Sequence, residues 1–390
     1  MNALEWRATL GLGALYALRM AGMFMVLPVF ALYAHGLPGG QDPRRVGLAI
    51  GVYGLTQALL QIPLGIASDR WGRKPVIALG MAVFAAGSVV AGLARTVDLI
   101  VVGRALQGAG AVSSAVAALL ADSTREQVRT QAMTVLGAGM GLSFVLAMVL
   151  GPVVSDWIGV DGIFLMTAVL ALLALPVVWW VVPGSEPRAA RAGGLAEALL
   201  DRQMSRLHLG IFLLHAMLTS LFLVLPATLE RTLGLPGAQH WKVYLPVLLV
   251  SVLPVFPLSR WAEEHGRLRA AFVGAIVLLA AGLAAMTLAR SEAVPLVAAL
   301  LVFFTGFNYL EGALPSLISR LAPPDRKGAA LGVYASAQFL GAFAGGVGGG
   351  LVQARWGVPG GFGFTAALPL LWLAASAGWR PAIRGIPSRA

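Results

Sequence analysis

The sequence predicts an all-α membrane protein: twelve transmembrane helices in two six-helix halves, with both termini cytoplasmic. Three observations carry that prediction. Of 390 residues, 58% are hydrophobic and only 12% are charged, whereas soluble domains carry about 25% charged residues. Twelve stretches lack Asp, Glu, Lys and Arg over lengths near the roughly 20 residues that cross a hydrocarbon core. These stretches fall as six, a polar interval, and six more. The period-2 alternation of a β-barrel is absent. So little charge excludes a disordered chain, and the absence of cysteine excludes a disulfide scaffold, an iron–sulfur protein and a cysteine nucleophile.

In chain order the uncharged stretches are Met20–Gln41, Val46–Ser68, Pro75–Ala94, Ala105–Ala121, Thr130–Ser155 and Gly162–Ser185, then Leu207–Leu229, Val243–Ser259, Ala270–Ala289, Ala293–Leu310, Gly328–Ala354 and Trp356–Trp379. Three need extension to span. The first begins near Arg7 and so contains Arg19. The fourth begins near Asp98 and contains Arg104. The tenth continues past Glu311 to Ser319. No signal-peptide cleavage pattern follows the first stretch, so Met1 is expected to stay in the mature chain.

Orientation follows from Lys and Arg, which collect in cytoplasmic loops. With the termini inside, the outer loops hold only Arg44, Arg45, Arg95, Arg231, Lys242, Arg290 and Arg355 of the 28 basic residues. The net charge of +11 is therefore a topology signal, and no nucleic acid is needed to explain it. The polar interval Gly184–Ser205 carries a Leu195, Leu199, Leu200 stripe, which predicts a short amphipathic helix along the interface. It divides the chain into residues 1–183, a linker at 184–205, and residues 206–390. Internal similarity supports duplication. Pro63-Leu64 leads through Asp69 to Gly72-Arg73, and Pro257-Leu258 leads through Glu263 to Gly266-Arg267. Two such halves around a central site are the architecture of a rocking transporter.

At the residues of the second-to-third helix loop the sequence resembles a known family. Gly65-Ile66-Ala67-Ser68-Asp69-Arg70-Trp71-Gly72-Arg73-Lys74-Pro75 is similar to the signature loop of the major facilitator superfamily. Arg104-Ala105-Leu106-Gln107-Gly108 resembles the arginine motif of its proton-coupled members, and Gly151-Pro152 resembles the fifth-helix motif of its drug–proton antiporters. Within the superfamily the chain most resembles the bacterial YajR-type transporters, through Arg19–Pro28, Ser123–Gln127, His240–Tyr244 and Leu314–Ser319. Two departures stand out. Val153-Val154 follows Gly151-Pro152 where the antiporters continue with a glycine pair. The sequence also ends soon after Trp379, where YajR-type proteins carry a soluble domain, so regulation through that domain is not expected. The resemblance implies a multi-pass protein of the bacterial plasma (inner) membrane. It also implies that Asp69 meets the start of a helix near Lys327–Gly328, with Arg73 and Asp122 completing a charge relay.

The residues themselves point the same way. Gly65 permits close helix approach, and Asp69 at a membrane edge suits the positive end of a neighbouring helix. With Gly72, Arg73 and Asp122 they form a candidate gate; the other reading of Arg70, Arg73 and Lys74 is topology charge alone. Arg19 and Arg104 lie within spans, where a charge normally faces a cavity or a partner. Arg19 either binds an anionic substrate group or offsets Glu311; the resemblance ties Arg104 to proton transfer, and the other reading is a hydrogen bond to first-helix carbonyls. His215 either titrates or is a hydrogen-bonded packing residue. Glu311, with Asn308 and Tyr309 near it, is the acid that the span count places in the membrane, about 12 Å from the end of a helix closing at Ser319. It is the candidate proton carrier. Gly341, Gly345 and Gly349 form a packing seam, as do Gly137 and Gly141.

No phosphate loop, catalytic triad or paired carboxylate is visible, and the five histidines have no metal-ligand spacing. The expected protein is not an enzyme and uses no cofactor or metal. It is expected to be a monomer in the lipid bilayer, exporting a small amphiphilic solute against inward proton flow. Proton-coupled uptake, or a receptor that does not transport, are the alternatives.

Overall fold

The computed structural model describes residues 1–182, 201–323 and 327–378. The linker helix expected around Leu195–Leu200 lies outside them. The described residues are helical, with no strand among them. The first unit holds α1 (Ala3–Ala34), α2 (Pro43–Trp71), α3 (Arg73–Gly92), α4 (Val97–Ala109), α5 (Ser113–Asp122) and α6 (Glu126–Pro176). The second holds α7 (Arg202–Leu233), α8 (Trp241–Val252), α9 (Val255–Glu264), α10 (Leu268–Leu288), α11 (Ala293–Leu321) and α12 (Lys327–Ser376). By contacts the two compact units are Met1–Arg191 with Pro236–Trp241, and Ala192–Leu235 with Lys242–Ala390. Among the described residues, ten helical runs are long and apolar enough to cross a membrane.

The runs differ from the twelve uncharged stretches for a local reason. Residues 126–176 and 327–376 each continue as one helix through a single non-helical glycine, Gly159 at φ 73° and Gly357 at φ 65°. Both sit in the pattern Gly-Val-x-Gly, Gly159-Val160-Asp161-Gly162 and Gly357-Val358-Pro359-Gly360. A left-handed glycine bends the chain without a loop, and the pattern recurs at matching places in the two units. The Gly-Arg loops match in the same way, with Gly72 at φ 92° and Gly266 at φ 64°.

Three boundaries also move. α1 starts at Ala3, ahead of Arg7, because Asn2 and Glu5 form a capping box there. Glu5 is buried and bonds the Arg125 guanidinium at 2.8 and 3.2 Å, tying the start of α1 to the start of α6. The fourth stretch is not one helix. It breaks at residues 110–112, where the backbone of Gly110 is pressed against Gly80. α11 ends at Leu321, two residues beyond the expected Ser319.

In the second unit the glycine seam packs as expected. A Cβ on Gly341 would lie 2.1 Å from the Phe212 carbonyl oxygen, and one on Gly345 would lie 2.2 Å from that of Ala216. Gly349 meets Ser220, so the four-residue period of α12 runs along that of α7. In the first unit Gly151, next to Pro152, brings α6 within 2.5 Å of the Met25 carbonyl oxygen by the same measure. Gly137 and Gly141 are different: nothing lies within 4 Å of a Cβ built there, so they form no seam in this structure.

Candidate functional site

Glu311 lies on α11, about 15 Å from the Leu321 end at 1.5 Å per residue. Four residues on, Pro315 has no N–H to give the Glu311 carbonyl, so the helix is loosened at that point. The side chain is 28% exposed, but its Oε2 is buried without a hydrogen-bond partner. That oxygen faces His215 of α7, 4.0 Å from Nδ1. The gap is too long for a hydrogen bond, and a charge interaction spans it only when the histidine is protonated.

Gln338 of α12 fixes the histidine from its other side, with its Nε2 2.8 Å from the ring Nε2. With that amide donating, the ring proton sits on Nδ1, toward the carboxylate. Tyr334, one turn before Gln338, lies within electrostatic reach of Glu311. Asn308, one turn before Glu311, donates instead to Ser251 Oγ at 2.8 Å, tying α11 to α8. Phe307 closes the apolar side, its ring centroid 6.2 Å from that of His215. Three helices of one unit thus converge on one acid and one base.

The first unit holds a second buried polar cluster. Arg19 of α1 is 1% exposed and donates to Ser113 Oγ at 3.1 Å and Gln57 Oε1 at 2.5 Å. Gln57 in turn donates to Gln61 Oε1 at 3.1 Å. The break before α5 is what sets Ser113 against Arg19. Arg104 of α4 donates to Gln107 Oε1 at 2.9 Å, and Gln107 donates to Ser88 Oγ at 2.7 Å. Its guanidinium is therefore not spent on first-helix carbonyls. Both guanidiniums lie over Tyr53, 5.9 Å from the ring centroid for Arg19 and 4.9 Å for Arg104. Among the described residues of this unit, no carboxylate pairs with either arginine. On the insertion scale each such charge at mid-membrane costs about 2.5–3.5 kcal/mol.

At the α2–α3 junction Arg73 is the hub. It pairs with Asp69, bonds Asp122 Oδ2 at 3.2 Å through Nε, and donates to Ser68 Oγ at 2.7 Å. Gly65 faces Ser114 of α5, with a Cβ there 3.0 Å from its Oγ. Gly72 supplies the φ of 92° that turns α2 into α3. Among the described residues no group of histidine, cysteine, Asp and Glu could hold a metal ion.

Residues 12–346, and in a second match 207–389, fit the family model described as Major Facilitator Superfamily. The chain belongs to the major facilitator superfamily. It is 43% identical to "Inner membrane transport protein YajR" of Escherichia coli (strain K12), over 95% of this chain and 82% of that one. It is 29% identical to "Multidrug resistance protein MdtH" of Aeromonas hydrophila, over 85% of this chain and 84% of that one. In fold it matches the crystal structure of a bacterial homologue of the lysosomal transporter Spinster, with a TM-score of 0.80 at 14% identity, over 98% of this chain and all of that one. A superfamily fold of membrane-length helices makes the chain a multi-pass membrane protein.

The residues to which the sequence assigned no role of their own are the neutral polar ones. Gln57, Gln61 and Ser113 hold Arg19, Gln107 and Ser88 hold Arg104, and Gln338 holds His215. A signal existed: Tyr53, Gln57 and Gln61 repeat every four residues inside an uncharged stretch, as do Tyr334 and Gln338. Polar side chains on one helical face within the membrane point at one another or at a cavity.

Proposed function

We propose that the chain is a secondary active transporter of the bacterial inner membrane, exporting a small amphiphilic solute in exchange for protons by alternating access. One observation carries this reading: a mid-helix carboxylate, Glu311, stands 4.0 Å from His215 with no direct hydrogen bond between them. Such a pair can gain or lose a proton as its water and its spacing change, which is what coupling requires. Family membership supports transport, and the names of the YajR and MdtH relatives support the inner membrane and export. The chain acts on solute and protons as a monomer in the bilayer, without a cofactor, a metal, nucleic acid or enzymatic chemistry. Proton-driven solute flux in proteoliposomes is the test, and Glu311→Gln is the variant on which it turns.

The topology we propose has twelve spans, with the Gly159 and Gly357 kinks each ending one helix and starting the next. The halves are residues 1–183 and 206–390, joined by the linker at 184–205, and both termini are cytoplasmic. Arg70 and Glu264, exposed beside the Gly72 and Gly266 turns, then share the cytoplasmic side. Single cysteines at these two positions, in a chain with none of its own, are expected to be shielded from an impermeant thiol reagent in intact cells. The glycines themselves are poor label sites, because their positive φ strains any side chain. Labelling of either cysteine from outside would refute the orientation.

The Arg73 hub is proposed to gate the cytoplasmic side, with Asp69 docking on the helix that begins near Lys327–Gly328. Asp69→Asn removes the charge from both its Arg73 pair and that docking. The expected result is a shift toward the state open to the cytoplasm, by about 1–2 kcal/mol at most. Spin-label distances between the cytoplasmic ends of α2 and α12 would lengthen in population. Unchanged distance distributions would count against the gate and leave Arg73, with Arg70 and Lys74, as a topology charge.

A further inference from the structure

We propose that the Arg19–Arg104 cluster of the first unit binds the anionic group of the transported solute, which makes the solute class a small organic anion with an aromatic or alkyl body. The inference rests on the transporter reading and names its substrate class. Four observations meet at one place. Two guanidiniums, 1% and 5% exposed, stack on the same Tyr53 ring, and no carboxylate of the described residues in that unit offsets them. The Arg19 acceptors are the neutral oxygens of Gln57 and Ser113. Arg19 Nε is buried and bonds nothing. α5 begins at Ser113 with no side-chain cap, so the positive end of a ten-residue helix lies beside Arg19.

Neutral acceptors orient a guanidinium but leave its charge uncompensated. A carboxylate, sulfonate or phosphate oxygen forms shorter, charge-assisted bonds, and can take two donors of one guanidinium fork at once. It would displace the Gln57 carbonyl from Arg19 and satisfy Nε. The Ser113 hydroxyl and the Gln57 amide can each turn from their present partners to donate to it. Tyr53 and Phe84, whose ring centroid lies 5.4 Å from the Arg19 guanidinium, supply apolar walls for the rest of the solute. The cluster is closed over in this conformation, and opening comes from the alternating access already proposed. The second unit then handles the proton while the first handles the anion.

The test is thermal unfolding of the full chain in detergent, titrated with benzoate, with benzamide as its neutral isostere, and with sulfate. Benzoate is expected to raise the midpoint with an affinity at least about tenfold tighter than that of benzamide or sulfate. Arg19→Gln and Arg104→Gln should each weaken benzoate by about tenfold or more. Because a buried arginine variant can fail to fold, Gln57→Glu is the deciding change. It places a carboxylate of the same shape against Arg19, so its midpoint without ligand should rise and its benzoate shift should vanish. Equal shifts from benzoate and benzamide, or none from benzoate, would overturn the site. Sulfate matching benzoate would assign the cluster to a free inorganic anion and overturn the solute class. A Gln57→Glu chain that keeps the wild-type benzoate shift, or that fails to fold, would also overturn it. Binding is read without flux, so a failed proton coupling and a failed anion site remain separate results.

Discussion

Glu311→Gln is expected to reduce proton-driven solute flux in proteoliposomes to the level of vesicles without protein, while solute binding and solute–solute exchange persist. Glutamine keeps the size and polarity of a protonated carboxyl but cannot release the proton. The carrier would then be fixed in its protonated form. Its His215 contact, 4.0 Å across, becomes a charge-free contact in every conformation. A cycle that needs the proton to leave stops there, whereas one that returns loaded with solute does not. The structural alternative predicts something else: if Glu311 only held the three helices together, its loss would lower expression and the unfolding midpoint, and exchange would fall with flux. Since Oε2 makes no hydrogen bond, little packing is at stake in the substitution. A Gln variant that accumulates or extrudes solute under a proton gradient with the wild-type pH profile would show that Glu311 is not the carrier.

Gly345→Val is expected to lower the thermal midpoint by roughly 6–12 °C, the size of a destabilisation of about 3 kcal/mol in a unit of about 150–250 residues. The reason is backbone against backbone. The new Cβ would stand 2.2 Å from the Ala216 carbonyl oxygen and 2.6 Å from its Cα, and neither can rotate away. α12 must separate from α7, and Gly341 and Gly349 lose their contacts with Phe212 and Ser220 together. That separation also pulls Gln338, seven residues before Gly345, from His215. Gly137→Val is the control, with nothing within 4 Å of its Cβ and an expected shift near zero apart from helix propensity. Equal melting behaviour of the two variants would remove the seam from the account of stability.

Much of the fold was legible in one dimension. Transfer into hydrocarbon is close to additive along a helix, so the uncharged stretches fall mostly within helical runs long enough to cross a membrane. The period-four glycines of α12 named their own packing face, and the Gly72 and Gly266 loops announced the duplication. The sequence also singled out Glu311, His215, Arg19 and Arg104, because an ionisable residue inside a span is costly wherever it falls.

What it could not decide was partnership, which depends on rotation, kinks and neighbours. That His215 lies between Glu311 and Gln338 depends on α7, α11 and α12 meeting at one point. That Ser113 and Gln57 are the neighbours of Arg19 depends on the break at residues 110–112 and on the rotation of α2. Gly137 and Gly141 have the same spacing as Gly341 and Gly345 yet touch nothing, since a small-residue face becomes a seam only where another backbone lies beside it. Hydropathy is a property of a residue and its solvent, so sequence alone determined which stretches are apolar enough to cross a membrane. A hydrogen bond or an ion pair is a property of two groups within a few ångströms, and only the tertiary structure decided which groups the buried charges met: Gln57 and Ser113 for Arg19, Gln107 for Arg104.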